Sequence, residues 1–332
     1  MKRPILGITM GDAAGIGPEL ILKALSVQDV YDKCAPLLIG SADVMAFYKE
    51  RFGSSLDTRI VTDVQDGKFE YGTMDILDVG GIDASHVKIG RVSPIAGKAA
   101  VVYTQEAGRL AMDGRIDAVV SAPLNKEAMH AAGYSFEGQT QILAELTGAK
   151  RYGMILILGD MRVMMLTTHM ALRKACDAIS KERVLSMIEL AHQTLTTFGI
   201  RNPRIGVAGL NPHAGEGGTF GTEEINHIVP AINVAIERGI NAIGPVPADV
   251  IFVKAQKGAY DIVLALYHDQ ANMAAKLLGF GSVVTMLAGL PIIRTSVGHG
   301  TAFDIAGKNV ADPHNFIEAI RVAADACGVG SN

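Results

Sequence analysis

The chain has 332 residues, 49% of them hydrophobic, and a formal net charge of −4. That length and apolar content suit two α/β lobes with a substantial core; the interspersed charges offer no basic stripe for nucleic acid and no face for an anionic membrane. There is no tryptophan to build a stacking surface for single strands, and the three cysteines form no CxxC, which argues against a disulfide framework and excludes a thiolate zinc site.

In chain order, Met1-Lys-Arg-Pro leads into an apolar run too short for a secretory signal, and no uncharged segment is long enough to cross a bilayer, so a cytoplasmic protein is expected. Ile5–Met10 reads as a strand and Pro18–Leu25 as a helix with proline in its first turn. A strand over Pro36–Gly40 and a helix from Ala42 to Arg51 follow, then a polar, irregular stretch, Asp57–Ile89, expected to hold short antiparallel strands and surface loops. Val101–Met112 is predicted helical, Ile116–Ala122 a strand, and the 3.6-residue spacing of Val184, Ile188, Ala191, Leu195 and Phe198 marks an amphipathic helix. This alternation implies α/β architecture, mainly parallel sheets with helices on both faces. Gly133–Gly138 and Gly289–Pro291 are the expected lobe crossings, giving a first lobe of 1–132 and 292–332 and a second of 133–291.

Three histidines each close a short apolar run: His169 after Val163-Met-Met-Leu-Thr-Thr, His213 after Ile205-Gly-Val-Ala-Gly-Leu-Asn-Pro, and His268 after Ile262-Val-Leu-Ala-Leu-Tyr. Such runs suit buried parallel strands, and ligands gather outside the carboxyl ends of open α/β sheets. Any one of these histidines is most simply a loop residue. Three in the same register point to a shared divalent-metal site.

Other segments carry two readings. Gly11-Asp-Ala-Ala-Gly-Ile-Gly-Pro-Glu19 is either a tight strand-to-helix turn or an anion-facing helix start; it is neither a P-loop nor a dinucleotide fingerprint. Asn211–Gly221 sets His213 and Glu216 among glycines that permit close approach to a ligand. Asp269, beside His268, either fixes a ring tautomer, binds metal or caps the following helix. Lys276 and Arg294 are cations next to apolar segments, either snorkelling or holding an anionic substrate.

His299-Gly-Thr-Ala-Phe-Asp-Ile-Ala-Gly-Lys308 closely resembles the dinucleotide-binding loop of isocitrate and isopropylmalate dehydrogenases, which bind NAD without a Rossmann fold. The chain as a whole resembles the 4-hydroxythreonine-4-phosphate dehydrogenase family and its 4-phosphothreonate and 4-phosphoerythronate relatives. The matching segments are Ile8–Glu19, Ala122–Lys126, Thr167–His169, Leu210–Gly218, Ala265–Gln270 and Leu290–Ser296. The resemblance implies a two-lobed isocitrate/isopropylmalate dehydrogenase-like fold with the active site in its cleft. It implies a divalent metal (Zn, Mg, Co or Mn) on His169, His213 and His268, with one imidazole supplied across a homodimer interface. Substrate contacts then fall on Gln139, Thr140, Lys276, Thr285 and Arg294, NAD or NADP on His299, Gly300, Thr301 and Asp304, and proton transfer on Lys126 or Asp269.

The implied reaction is oxidation, with decarboxylation, of a small phosphorylated 3-hydroxy acid. The chain departs from the family pattern at Gln139, where the family carries histidine, at Gln141 (glutamate), Thr285 (asparagine), Gly298 (aspartate), Ala271 (glycine) and Ala13 (proline). Gly298 resembles the terephthalate dihydrodiol dehydrogenase branch, so a cis-dihydrodiol carboxylate is the competing substrate. A metal-dependent hydrolase, which needs no dinucleotide, and an anion-binding protein without turnover are the competing classes.

Overall fold

A computed structural model describes residues 3–279 and 281–328. The chain divides into two compact units, Met1–Lys150 with Leu290–Asn332, and Arg151–Gly289.

In unit 1 the elements are β1 (Ile5–Thr9), α1 (Gly17–Leu25), α2 (Gln28–Lys33), β2 (Ala35–Gly40), α3 (Ala42–Phe52), β3 (Asp57–Val61) and β4 (Thr73–Asp78). They continue with α4 (Pro94–Met112), β5 (Ala118–Ser121), α5 (Lys126–Ala131) and α6 (Gln139–Thr147). After the excursion into unit 2 the chain returns, and strand Ile293–Val297 and helix His314–Gly328 complete the unit. The strands lie in the order β3-β4-β2-β1-β5 with Ile293–Val297 beyond β5, every pair parallel. β2 and β5 are buried at every residue, so helices cover both faces.

Asp57–Ile89 differs from expectation. It contains β3 and β4, which pair in parallel, Asp57 opposite Thr73 through Val61 opposite Leu77. The strands are where expected but not antiparallel; the parallel pairing rests on a contact across the two strands, Asp75 accepting from Arg59 Nη1 at 3.0 Å and from the Phe69 amide at 2.7 Å. The first crossing also falls after Lys150 rather than at 133. Helix α6 belongs to unit 1, because Ile142 clusters with Val101 and Met129, and Gly108 of α4 lies under Leu143 and Leu146.

In unit 2 the elements are β6 (Gly153–Leu158), β7 (Met161–Met165), α7 (Leu172–Asp177), α8 (Lys181–Thr197), β8 (Ile205–Ala208), α9 (Val229–Glu237) and β9 (Ala242–Val246). Then come α10 (Ala248–Gln256), β10 (Ile262–Ala265), α11 (His268–Gly279) and β11 (Val284–Ala288); the strand and helix that close unit 1 are therefore β12 and α12. The sheet runs β11-β6-β7-β10-β8-β9, antiparallel across β11, β6 and β7 and parallel from β7 onward. Val163, Val263, Ala265, Ala208 and Ile251 fill one side of it, and α8 buries the predicted stripe of Val184, Ile188, Ala191 and Leu195. Among the described residues no helix is long and apolar enough to cross a membrane.

Helix α4 approaches α5 so closely that a Cβ at Gly97 would sit inside the van der Waals envelope of the Ala128 carbonyl. Backbone cannot yield as a flexible side-chain tip does, so Gly97→Ala is expected to lower urea-unfolding stability by about 1–3 kcal/mol. An unchanged midpoint would show that the helices separate freely.

Candidate active site

Strands β7, β10 and β8 are adjacent, parallel and nearly level: Ala265 lies opposite Met165, and Leu264 opposite Val207. Their carboxyl ends therefore emerge on one rim of the sheet. His169, His268 and His213 follow those ends by four, three and five residues, as the end residues Met165, Ala265 and Ala208 show. Cross-links hold the exits together. The Leu166 amide donates to Ala265 O at 2.8 Å and Thr167 Oγ1 to Leu266 O at 2.8 Å, tying β7 to β10. Buried Gln270 accepts from the Leu266 amide at 2.7 Å and donates to Gly209 O at 3.0 Å, tying β10 to β8.

The rings of His169 and His268 lie 5.6 Å apart between centroids. His268 Nδ1 lies 2.7 Å from Asp269 Oδ1. An ionised carboxylate only accepts, so the ring proton sits on Nδ1 and the Nε2 lone pair is left for a ligand. Helix α11 begins at His268, so Asp269 lies in its first turn rather than at the cap. His213 has the same arrangement, Nδ1 lying 3.2 Å from Glu216 Oε2, and its side chain is 67% exposed. Within one chain, and among the described residues, no three metal-ligating side chains form a group: the structure brings His169 and His268 together and leaves His213 apart from such a cluster. The donor chemistry, imidazoles of which His268 and His213 are each backed by a carboxylate, fits a borderline divalent cation.

The backbone that presents His213 is left-handed over five residues: His213, Ala214, Gly215, Glu216 and Gly217 have φ of 52°, 55°, 81°, 43° and 66°. Left-handed geometry costs about 1–2 kcal/mol at each non-glycine position. Three such positions in one turn persist only where surrounding contacts hold them.

In unit 1 the dominant feature is Arg294 on β12, only 4% exposed. Its Nε donates to Ser121 Oγ at 3.1 Å and its Nη2 to Gln139 Oε1 at 2.6 Å. Gln139 in turn donates from Nε2 to Ala122 O at 2.9 Å, which fixes the amide with its oxygen toward the guanidinium. Neither side-chain partner is acidic. Desolvation lowers the Arg294 pKa to about 10, still charged at neutral pH. Thr140 is half-buried in the first turn of α6, while Lys126 stands exposed at the start of α5. In unit 2, Lys276 is exposed in the last turn of α11 and Thr285 is buried in β11.

The glycine-rich turn 11–19 resolves as a tight, covered connection. The Ile16 amide donates to Thr301 O at 3.0 Å, and a Cβ at Gly15 would meet Thr301 Cβ at 2.8 Å. The 299–308 segment is pinned at both ends. Asn125 Nδ2 reaches Thr301 Oγ1 at 3.5 Å, and Arg51 Nε donates to Gly307 O at 3.1 Å. Just beyond, buried Glu19 accepts from the Ala311 amide at 2.6 Å and from Lys23 at 2.9 Å. His299, Gly300 and Asp304 are exposed and Thr301 is buried. A side chain at Gly300 would meet nothing within 4 Å, so packing does not explain this glycine.

Sequence reasoning missed Ser121, Gln270, Glu19 and Glu224. Ser121 and Gln270 border segments singled out for their chemistry, and a rule that strand-end polar residues orient a nearby cation or loop would have found them. Glu224 has no such marker.

The fold is α/β, with the His169–His268 pair on one unit and, on the other, a buried guanidinium whose side-chain partners are neutral. The model of the PdxA family, "Pyridoxal phosphate biosynthetic protein PdxA", matches residues 32–323, and the chain belongs to that family. It is 46% identical over 323 residues to the D-threonate 4-phosphate dehydrogenase of Cupriavidus necator, covering 97% of each chain. A 4-hydroxythreonine-4-phosphate dehydrogenase structure from Burkholderia phymatum superposes with a TM-score of 0.90 at 44% identity, over 98% of this chain and 99% of that one. A terephthalate 1,2-cis-dihydrodiol dehydrogenase from Burkholderia xenovorans gives 0.68 at 31%, over 97% and 98%.

Asp12, in the turn after β1, is fully buried; its Oδ1 accepts from the Ala14 amide at 2.8 Å while Oδ2 has no partner. Burial raises its pKa from 3.8 to about 6, against the lowering effect of the Ala14 bond. The folded state then binds the proton more tightly than the unfolded, so stability falls as pH rises from about 4 to about 6 and stays low above that. Relative to Asp12→Asn, the wild type should lose roughly 2–3 kcal/mol between pH 4 and 7.5 in urea titrations. Parallel curves for the two proteins would rule out this burden.

Proposed function

We propose that the chain catalyses metal-dependent, NAD(P)-linked oxidation of a phosphorylated hydroxy acid, 4-phosphothreonate or a close four-carbon relative such as 4-phosphoerythronate or 4-hydroxythreonine 4-phosphate. The observation that carries this reading is Arg294. A guanidinium taken out of water without a carboxylate is costly by several kcal/mol, and a dianionic phosphate offsets that cost with charge-assisted, bidentate hydrogen bonds. Gln139 is the holder of that guanidinium; Thr140, Lys276 and Thr285 are the further substrate contacts of this reading.

His169 and His268 would hold the divalent metal, Asp269 keeping the His268 ring with Nε2 free. The third imidazole, His213, comes from a second copy of the chain in a homodimer. Its exposure supports this, as do the exposed Phe220 and Ile225 near it and the exposed Met273 and Leu277 on α11. When bound, the metal supplies Lewis acidity that lowers the pKa of the substrate hydroxyl. His299, Gly300, Thr301 and Asp304 would hold NAD(P)+, which would accept the hydride of the carbinol carbon while the hydroxyl proton would leave to a base. The candidates for that base are Lys126 and Asp269. Where the substrate carries a carboxylate β to the new ketone, CO2 then departs. The higher identity and TM-score of the phosphate-substrate relatives favour this over the dihydrodiol reading that Gly298 suggests.

Nicotinamide absorbance with 4-phosphothreonate, 4-hydroxythreonine 4-phosphate and a cis-dihydrodiol carboxylate tests the assignment directly. The expected outcome is turnover of a phosphorylated acid; dihydrodiol turnover alone, or hydrolysis without dinucleotide, would reverse it. Arg294→Ala should raise KM about 10–100-fold, the worth of a charge-assisted contact. Gln139→Glu, which sets an internal carboxylate against Arg294, should raise KM comparably; an unchanged KM in both variants would mean the anion binds elsewhere.

A further inference from the structure

Glu224 is 2% exposed, yet it is a carboxylate, and it opens the π-type turn Glu224–Ile228. Its oxygens point back into the loop that carries His213. Oε1 accepts from the Leu210 and Asn211 amides, each at 2.8 Å, and Oε2 accepts from Asn211 Nδ2 at 2.9 Å. Asn211 Nδ2 also donates to Glu223 Oε2 at 2.7 Å, which holds the Glu223 carboxyl below its usual range. The inner side of the left-handed turn rests on the same group: a Cβ at Gly215 would meet Glu224 Oε2 at 2.8 Å. One buried carboxylate thus touches the chain on both sides of His213, before it at Leu210 and Asn211 and after it at Gly215.

A π-turn changes the phase of the helix by one residue and recurs at functional sites. Here it places Glu224 and Glu223 side by side at Asn211. A left-handed turn with histidine, alanine and glutamate in it relaxes unless it is held, and Glu224 is what holds it. Resting on the metal-site reading above, we infer that Glu224 is a positioning residue that sets the backbone of the His213 turn and thereby the metal affinity of the site, without itself ligating the metal. The class of ligand it serves is a borderline divalent cation.

Glu224→Gln keeps an oxygen for the backbone amides but turns an NH2 toward Asn211 Nδ2, so two donors face each other. Gly215→Ala leaves the carboxylate intact and pushes the turn off it. Cobalt(II) titration of the full-length protein, followed by the intensity and position of its visible bands, reads affinity and coordination geometry without turnover. Both variants are expected to bind Co2+ about 10–100-fold more weakly, the loss typical of groups that orient a ligand, with an altered limiting spectrum. Gly97→Ala, destabilising in unit 1, should leave affinity and spectrum unchanged. Wild-type affinity and spectrum in Glu224→Gln and Gly215→Ala, alongside weakened binding in His213→Ala, would overturn the positioning role and leave the metal site standing. Unchanged binding in His213→Ala would overturn both.

Discussion

The parallel register of β7, β10 and β8 is the constraint on which the rest depends. Parallel strands cannot turn back on themselves, so each must leave the sheet at its carboxyl end into a loop and helix. With three neighbours level to within one residue, three exits leave at one rim; those of β7 and β10 set the His169 and His268 rings 5.6 Å apart, while His213 stays outside that pair within one chain. Backbone pairing places those two imidazoles, and Thr167 and Gln270 lock exit to exit. Slipping β8 against β10 by one residue would turn its side chains to the other face and carry the His213 turn away with it.

Unit 1 imposes a second constraint of a different kind. Its all-parallel sheet buries β12, and that burial would ordinarily exclude an arginine. Arg294 is retained with only neutral oxygen partners, from Ser121 and Gln139, so its charge is oriented rather than cancelled. A carboxylate in the position of Gln139 would have made an ion pair and a quiet core. The amide orients the guanidinium without cancelling its charge.

Much of this was readable from residues alone, and the failures have a common cause. The apolar runs before His169, His213 and His268 gave strand, end and register together, because buried parallel strands leave a continuous hydrophobic signal. Helix α8 was legible from its 3.6-residue stripe. The parallel pairing of β3 with β4 was not, because Asp75 and Arg59 neutralise each other across strands, a contact invisible to local composition. The crossing at Lys150 was missed because the glycines at 133 and 138 look like a linker, while α6 is claimed for unit 1 by Gly108, far away in sequence. Glu224 was silent for the same reason: a buried carboxylate is defined by its partners at 210, 211 and 215, and nothing at 224 announces them. Periodic burial is legible; long-range polar satisfaction is not.

The central claim is that the exits of β7 and β10 deliver His169 and His268 to one divalent ion, with His213 supplied by a second copy of the chain. Anomalous diffraction from crystals of the protein grown with Co2+ tests it most directly. The account predicts one strong peak per chain, about 2.0–2.2 Å from Nε2 of His169 and of His268, with the imidazole of a second copy's His213 completing the set. A peak that avoids these rings, or full occupancy at a site built from other side chains, would contradict it.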